Sequence, residues 1–205
     1  FISGLKNKTK TLNFGLDELN SNSFGPLISK EHLKKVEGYI ELSKKEGAKL
    51  LVDGREGIKG KNSKNGYFIG PSIIDNVTTD MESYKNEIFG PVLQIIEVEN
   101  MLEGIKIINE NIYGNGCCVF TDSGESARSF SENAGIGMIG INVPLPVPSS
   151  FHSFGGWKDS LFGDLNIYGP DGLRFYTQRK TITQRWPNSG KSNGIDLSMP
   201  NNLKQ

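Results

Sequence analysis

The chain has 205 residues, 36% of them hydrophobic, with lysine plus arginine and aspartate plus glutamate balanced at 23 each. That length builds one ordinary core, or a core with an appendage, and the balanced charge offers no field for nucleic acid or an acidic membrane surface. No apolar run approaches the ~20 residues that span a bilayer, and the two cysteines, adjacent at Cys117 and Cys118, cannot staple distant segments, which points to a reducing compartment.

Phe1-Ile2-Ser3 opens the chain without an initiator methionine and without a signal-like or transit-like pattern, so targeting is not readable here. In residues 1–24, Leu5, Leu12, Phe14, Leu16 and Leu19 fit no single period, and Asn20–Ser23 reads as loop. Gly25-Pro26 marks a turn and Ser29 a helix N-cap. Leu33, Val36, Tyr39 and Ile40 then recur at helical spacing until Gly47 stops the helix. Leu50–Val52 is a short strand ended by the turn pair Asp53-Gly54, and Lys59–Asn65 a solvated loop. Phe68–Ile74 is extended around Gly70-Pro71, and Val92–Val98 reads as a buried strand.

Asn100 with Glu103 forms a capping-box pattern, continued as a helix by Leu102, Ile105 and Ile108. Cys117–Thr121 is the next strand, Asp122 with Glu125 repeats the cap, and Ala127, Phe130 and Ala134 give a helical face before a strand at Gly137–Val143. Strands alternating with helices predict an α/β fold with a largely parallel sheet and right-handed crossovers. Pro144-Leu145-Pro146-Val147-Pro148 excludes helix and central strand. After the glycine- and aromatic-rich Phe151–Tyr168, the alternation of Leu173–Trp186 predicts a long edge strand suited to pairing with another subunit, and residues 187–205 read as a disordered tail.

Asn86-Glu87-Ile88-Phe89-Gly90-Pro91 resembles the Glu-x-Phe-Gly-Pro signature of aldehyde dehydrogenases. Gly25-Pro26-Leu27-Ile28, Asn142, Phe154-Gly155-Gly156-Trp157-Lys158 and Tyr176–Thr181 follow in that family's order, so the resemblance covers residues 24–186. Asp75-Asn76-Val77, Tyr84-Lys85-Asn86, Tyr113-Gly114-Asn115-Gly116 and the ladder Asn142–Pro148 resemble its methylmalonate-semialdehyde, CoA-acylating branch; the ladder discriminates best, and Phe162-Gly163-Asp164 and Phe175-Tyr176-Thr177 agree with it.

The resemblance implies a cysteine nucleophile, hydride transfer to NAD and transfer of the acyl group to coenzyme A, with loss of carbon dioxide to give acetyl- or propionyl-CoA. In the family that cysteine, the dinucleotide-binding domain and the arginines for the substrate carboxylate precede this region. The expectation is therefore no catalytic residue in the chain itself and a small-molecule aldehyde as partner of the whole enzyme. Residues 1–148 would be a partial catalytic domain, 149–186 a substrate-mouth loop and oligomerisation arm, and 187–205 tail. By family habit the location is mitochondrial, and the assembly a homo-oligomer through residues 173–186.

Glu87 corresponds to the glutamate that accepts hydrogen bonds from the nicotinamide ribose hydroxyls, a role suited to an acceptor-only group; otherwise it is a surface glutamate. Phe89 corresponds to the aromatic beside the nicotinamide ring; otherwise it is core. Phe151, His152 and Phe154 fall in the loop that lines the family's acyl pocket, although Ser149-Ser150 and Gly156-Trp157 depart from the branch pattern there. Cys117 and Cys118 sit on a predicted strand with no basic neighbour and read as packing, not nucleophiles. His32 and His152 lack metal-ligand spacing, and Lys158 and Arg179 read as solvated charges. Two other readings stand beside the first. One is a truncated, non-catalytic assembly partner, given the poor match of Phe1–Asn22; the other is a hydrolytic aldehyde dehydrogenase, against which the Pro144–Pro148 ladder argues.

Overall fold

The computed structural model describes residues 1–13, 25–55 and 66–184. Phe14, Leu16, Leu19, the Asn20–Ser23 and Lys59–Asn65 loops and the tail therefore lie outside the described residues. A first helix, α1 (Ile2–Thr9), has no buried residue. Its Leu5 and the following Leu12 instead line a groove with Pro71, Ile73, Pro91 and Leu93, which is why the segment lacks a clear apolar period.

Helix α2 (Lys30–Lys45) begins as the sequence predicts, with the Ser29 hydroxyl accepting from the His32 amide. It buries Val36 and Ile40 completely, against Ile69 and Ile88. Gly47 at φ 101° takes the left-handed turn out of the helix. Strand β1 (Lys49–Val52) pairs antiparallel with β2 (Ser72–Asp75), and β2 pairs parallel with β3 (Val92–Gln94). The predicted strand at Val92–Val98 is thus shorter as a ladder, although the Ile95 amide still bonds Ile74 O and the Val77 amide bonds Ile95 O. At the Asp53-Gly54 turn, the Gly54 amide donates to Ser72 Oγ and the Gly70 amide to Gly54 O. A side chain at residue 54 would collide with the Gly70 carbonyl.

The second half repeats the helix-on-strand logic. Helix α4 (Met101–Glu110), reached after the single turn α3 (Glu82–Lys85), is capped by Asn100 Oδ1 accepting from the Glu103 amide. The return bond of the box reaches one residue further back, from the Glu99 amide to Glu103 Oε2 at 2.8 Å. Strand β5 (Gly116–Val119) pairs in parallel with β6 (Met138–Ile141) across α5 (Gly124–Asn133). The cap of α5 is Ser123, not Asp122: Ser123 Oγ accepts from the Ser126 amide, and Thr121 is engaged on both backbone groups by Asn142, whose φ of 56° ends β6. Ile105, Phe130, Ala134 and Ile136 close this core over Cys117, Val119 and Ile139.

Two expectations need correction. Among the described residues the strands form three small sheets rather than one: β1-β2-β3, β5-β6, and an antiparallel pair of β4 (Tyr113–Gly114) with β7 (Trp157–Lys158). The start of the expected Leu173–Trp186 strand, Leu173–Phe175, is instead the end of helix α6 (Pro170–Phe175), entered by Gly169 at φ 68° with proline in its first turn and an Arg174–Asp171 ion pair. Residues 176–184 are exposed and have no regular structure.

Candidate cofactor cleft

The Asn86–Pro91 motif is held from below. The carboxylate of Glu46, at the end of α2, accepts from the Glu82 amide at 2.6 Å and from the Ser83 hydroxyl at 2.7 Å, fixing the start of α3. Burial raises the Glu46 pKa, but these hydrogen bonds outweigh it and hold the group below its ordinary value. Asn86 ends α3 by donating from its side chain to Glu82 O. Ile88 is then buried in the cluster of Val36, Ile40 and Ile69, so Glu87 and Phe89 on either side of it face outward. Phe89 adopts φ 58° and is 74% exposed. Gly90 follows because a Cβ there would stand 2.9 Å and 3.0 Å from the two methyls of Val36. Gly90-Pro91 then delivers the chain into β3, where Gln94 Nε2 donates to Ser83 O.

Opposite stands a wall built from β4 and the loop after β7. The Gly114 amide donates to Ser160 Oγ at 3.1 Å and the Asp159 amide to Ile112 O at 3.1 Å. Gly156 allows this close approach, since a Cβ there would meet Ser160 and the Cα of Asn115. Between the walls lies an open cleft of about 990 Å³ bordered by Glu87, Phe89, Tyr113, Asn115, Asp159 and Phe162. Phe162 is fully exposed at its rim. A carboxylate acceptor and an exposed aromatic on one wall, with amide and carboxylate groups opposite, can take a flat aromatic group bearing hydroxyls.

The structure therefore brings Glu87 and Phe89 together. It places Phe151, His152 and Phe154 elsewhere: none of the three borders this cleft. Phe151 and His152 are exposed, with ring centroids 4.7 Å apart. Phe154 is half-buried, 5.4 Å from the Tyr168 ring. Cys117 is half-buried on β5, and burial, with Cys118 beside it, pushes its thiol pKa up, the opposite of an activated nucleophile. Among the described residues no group of three or more histidine, cysteine or carboxylate side chains could hold a metal, and no helix is long and apolar enough to cross a membrane.

Lys158 corrects its sequence reading. Its ammonium donates to the carbonyls of Ile108, Asn109 and Asn111 at 3.0, 3.1 and 2.9 Å, closing the C-terminal end of α4. His32, which lacks metal-ligand spacing in the sequence, has a partner of its own: its Nε2 lies 2.8 Å from Phe89 O. Neither pairing leaves a trace in sequence spacing, because the partners are brought together only by packing.

The model of the aldehyde dehydrogenase family matches residues 1–182. A malonate-semialdehyde dehydrogenase from Pseudomonas aeruginosa is 48% identical over 199 residues, 97% of this chain and 40% of the relative, so the chain spans well under half the length of that protein. Among solved structures, a methylmalonate-semialdehyde dehydrogenase from Oceanimonas doudoroffii superposes with a TM-score of 0.87 at 52% identity, covering 92% of this chain and 38% of that one. An aldehyde dehydrogenase from Mycobacterium tuberculosis complexed with NAD+ gives 0.77 at 32% identity, over 87% of this chain and 36% of the other. With the family model matched over residues 1–182 and relatives at 48% and 52% identity, the chain belongs to the aldehyde dehydrogenase family.

Proposed function

We propose that the chain is part of an NAD-dependent, CoA-acylating malonate- or methylmalonate-semialdehyde dehydrogenase, in which it forms one side of the nicotinamide site. The observation that carries this reading is the Glu87–Phe89 turn, which sets a carboxylate and a left-handed, exposed phenylalanine side by side on an open cleft. It is supported by 48% identity to a malonate-semialdehyde dehydrogenase.

The residues fit the cofactor chemically. The two oxygens of Glu87 can accept from both hydroxyls of a ribose, and a carboxylate does so more strongly than a neutral acceptor. The Phe89 ring offers an apolar face against which a nicotinamide can lie while water is kept off that side. NAD, when bound, supplies the hydride acceptor. Turnover would then need a nucleophile that these cysteines do not provide, so the 205-residue chain alone is expected to be inactive.

The test joins two measurements on the native protein: the intact mass of its subunit, and NAD reduction on malonate semialdehyde with and without coenzyme A. CoA-dependent turnover by a subunit heavier than 22.6 kDa supports the reading. CoA-independent turnover giving the free acid would make it a hydrolytic family member. A 22.6 kDa subunit without turnover would refute the enzymatic reading in favour of a non-catalytic assembly role.

A further inference from the structure

A bulky side chain in the left-handed region is held at a cost, and such conformations persist only where surrounding contacts over-determine them. Phe89 is in that region at φ 58°, and its ring, 74% exposed, contributes little to the core. Its neighbours do not explain the geometry either. Ile88 is anchored in the α2 cluster and Gly90 lies against Val36, which fixes the chain on both sides of residue 89 without choosing the orientation of its own peptide.

The missing contact comes from the first turn of α2. His32 Nε2 lies 2.8 Å from the Phe89 carbonyl oxygen, and the imidazole meets the Phe89 ring edge-on at 6.2 Å and 63°. The carbonyl is an acceptor only, so the imidazole must carry its proton on Nε2. The helix is itself fixed at this point, because the His32 amide is engaged by the Ser29 cap at 3.1 Å.

We propose that His32 is a positioning residue: its imidazole holds the Phe89 peptide in the left-handed conformation and so turns the Phe89 ring toward the cleft. The functional half of this inference rests on the reading of the cleft as a nicotinamide site. The anchoring half does not.

The experiment uses the full 205-residue chain, isotope-labelled, as wild type and as His32→Leu, His32→Asn and His32→Gln. A positive φ brings the amide proton and Hα of one residue close together, so Phe89 should show a strong intraresidue amide–Hα NOE in the wild type. Glutamine reaches about as far as the histidine Nε2 and should retain the signal. Leucine, without a donor, and asparagine, one methylene shorter, should lose it while the remaining amide spectrum is preserved. Asparagine keeps the site polar, so it decides the matter if leucine perturbs the fold. A left-handed Phe89 in both His32→Leu and His32→Asn would overturn the proposal.

In parallel, NAD and ADP-ribose are titrated against the native protein of which this chain is proposed to be part, as wild type and with each substitution. Losing one hydrogen bond's worth of preorganisation should weaken NAD roughly 2- to 10-fold and leave ADP-ribose, which lacks the nicotinamide, unchanged. Equal weakening of both ligands would refute a role directed at Phe89. If the wild type shows the NOE but NAD does not bind the native protein, the cofactor reading falls and the anchoring assignment stands.

Discussion

Replacing Gly90 by alanine is the sharpest probe of how the Glu87–Phe89 turn is seated. The added Cβ would lie 2.9 Å from Val36 Cγ2, 3.0 Å from Cγ1 and 3.6 Å from Cβ, where carbon atoms normally settle about 3.5–4.0 Å apart. Val36 is completely buried on α2, and a β-branched residue in a helix has one strongly preferred rotamer. Both of its methyls already face residue 90, so turning the side chain exchanges one collision for another. The strain must pass to the backbone, at about 1–3 kcal/mol for an overpacked core site, or a fall in Tm of roughly 2–12 °C in a chain of this length. Val36→Ala alone removes two carbons, worth about 1.6 kcal/mol in transfer free energy, plus a cavity term. In the double variant the new methyl enters the space that valine vacated, so the combined loss should fall short of the sum by at least about 0.5 kcal/mol. Urea and thermal denaturation followed by circular dichroism measure all four corners of the cycle. A Gly90→Ala protein within about 0.5 kcal/mol of wild type, or additive losses, would refute the packing argument.

Substitutions at two further positions test the supports of the cleft. The pKa values of Glu46 and Asp53 are both lowered by the fold: Glu46 because its hydrogen bonds to Ser83 and Glu82 outweigh burial, and Asp53 chiefly because Arg55 binds it, against burial. Groups with depressed folded-state values add stability above their ordinary values of 4.5 and 3.8 and lose it as pH falls through the folded ones. The urea midpoint should therefore decline below pH ~4.5, and Glu46→Gln should lower the plateau and flatten that decline; an unchanged acid limb in Glu46→Gln would contradict it. Lys158→Met keeps the stem but strips three carbonyls of their donor and should cost about 1 kcal/mol. Lys158→Gly loses the same bonds but relieves φ 53°, so it should be the milder variant by about 1 kcal/mol. Thermal melts giving the reverse order would count against the capping role.

What the sequence made legible was local. Ser29 and Asn100 cap helices where their spacing to the following apolar residues says they should, and Cys117 lies on a strand whose parallel partner comes one helix later. The failures share a physical cause, which is that pairing across the chain leaves no local mark. Leu173 and Phe175 alternate as a strand would, yet Gly169 and Pro170 start a helix that takes both in. Residues 1–13 looked aperiodic because Leu5 and Leu12 meet only a groove. In the cleft, the motif wall was readable through Glu87 and Phe89. The facing wall, with Asn115, Asp159 and Phe162, was not, because it depends on Gly156 letting the chain approach Asn115 and Ser160. Lys158 looked like any surface lysine until its three acceptors were assembled around it.

The turn from Asn86 to Pro91 shows how a short motif divides its work. Asn86 closes α3, Ile88 fills the core beneath, Gly90 yields room to Val36, and Pro91 leads into β3. Each of these four has a folding task that accounts for its residue type. Because Ile88 points inward, its neighbours must point out, and a shift of one residue would bury a carboxylate and expose an isoleucine, an arrangement costly on both counts. Glu87 and Phe89 are what remain: two outward positions on which the core makes no demand. At Phe89 the fold bears both a strained backbone and an exposed aromatic ring, and either could be relieved by a glycine or a polar residue. Stability alone gives no reason for phenylalanine there. A group that lies against the ring would supply one, and the nicotinamide proposed above is flat and apolar enough to do so.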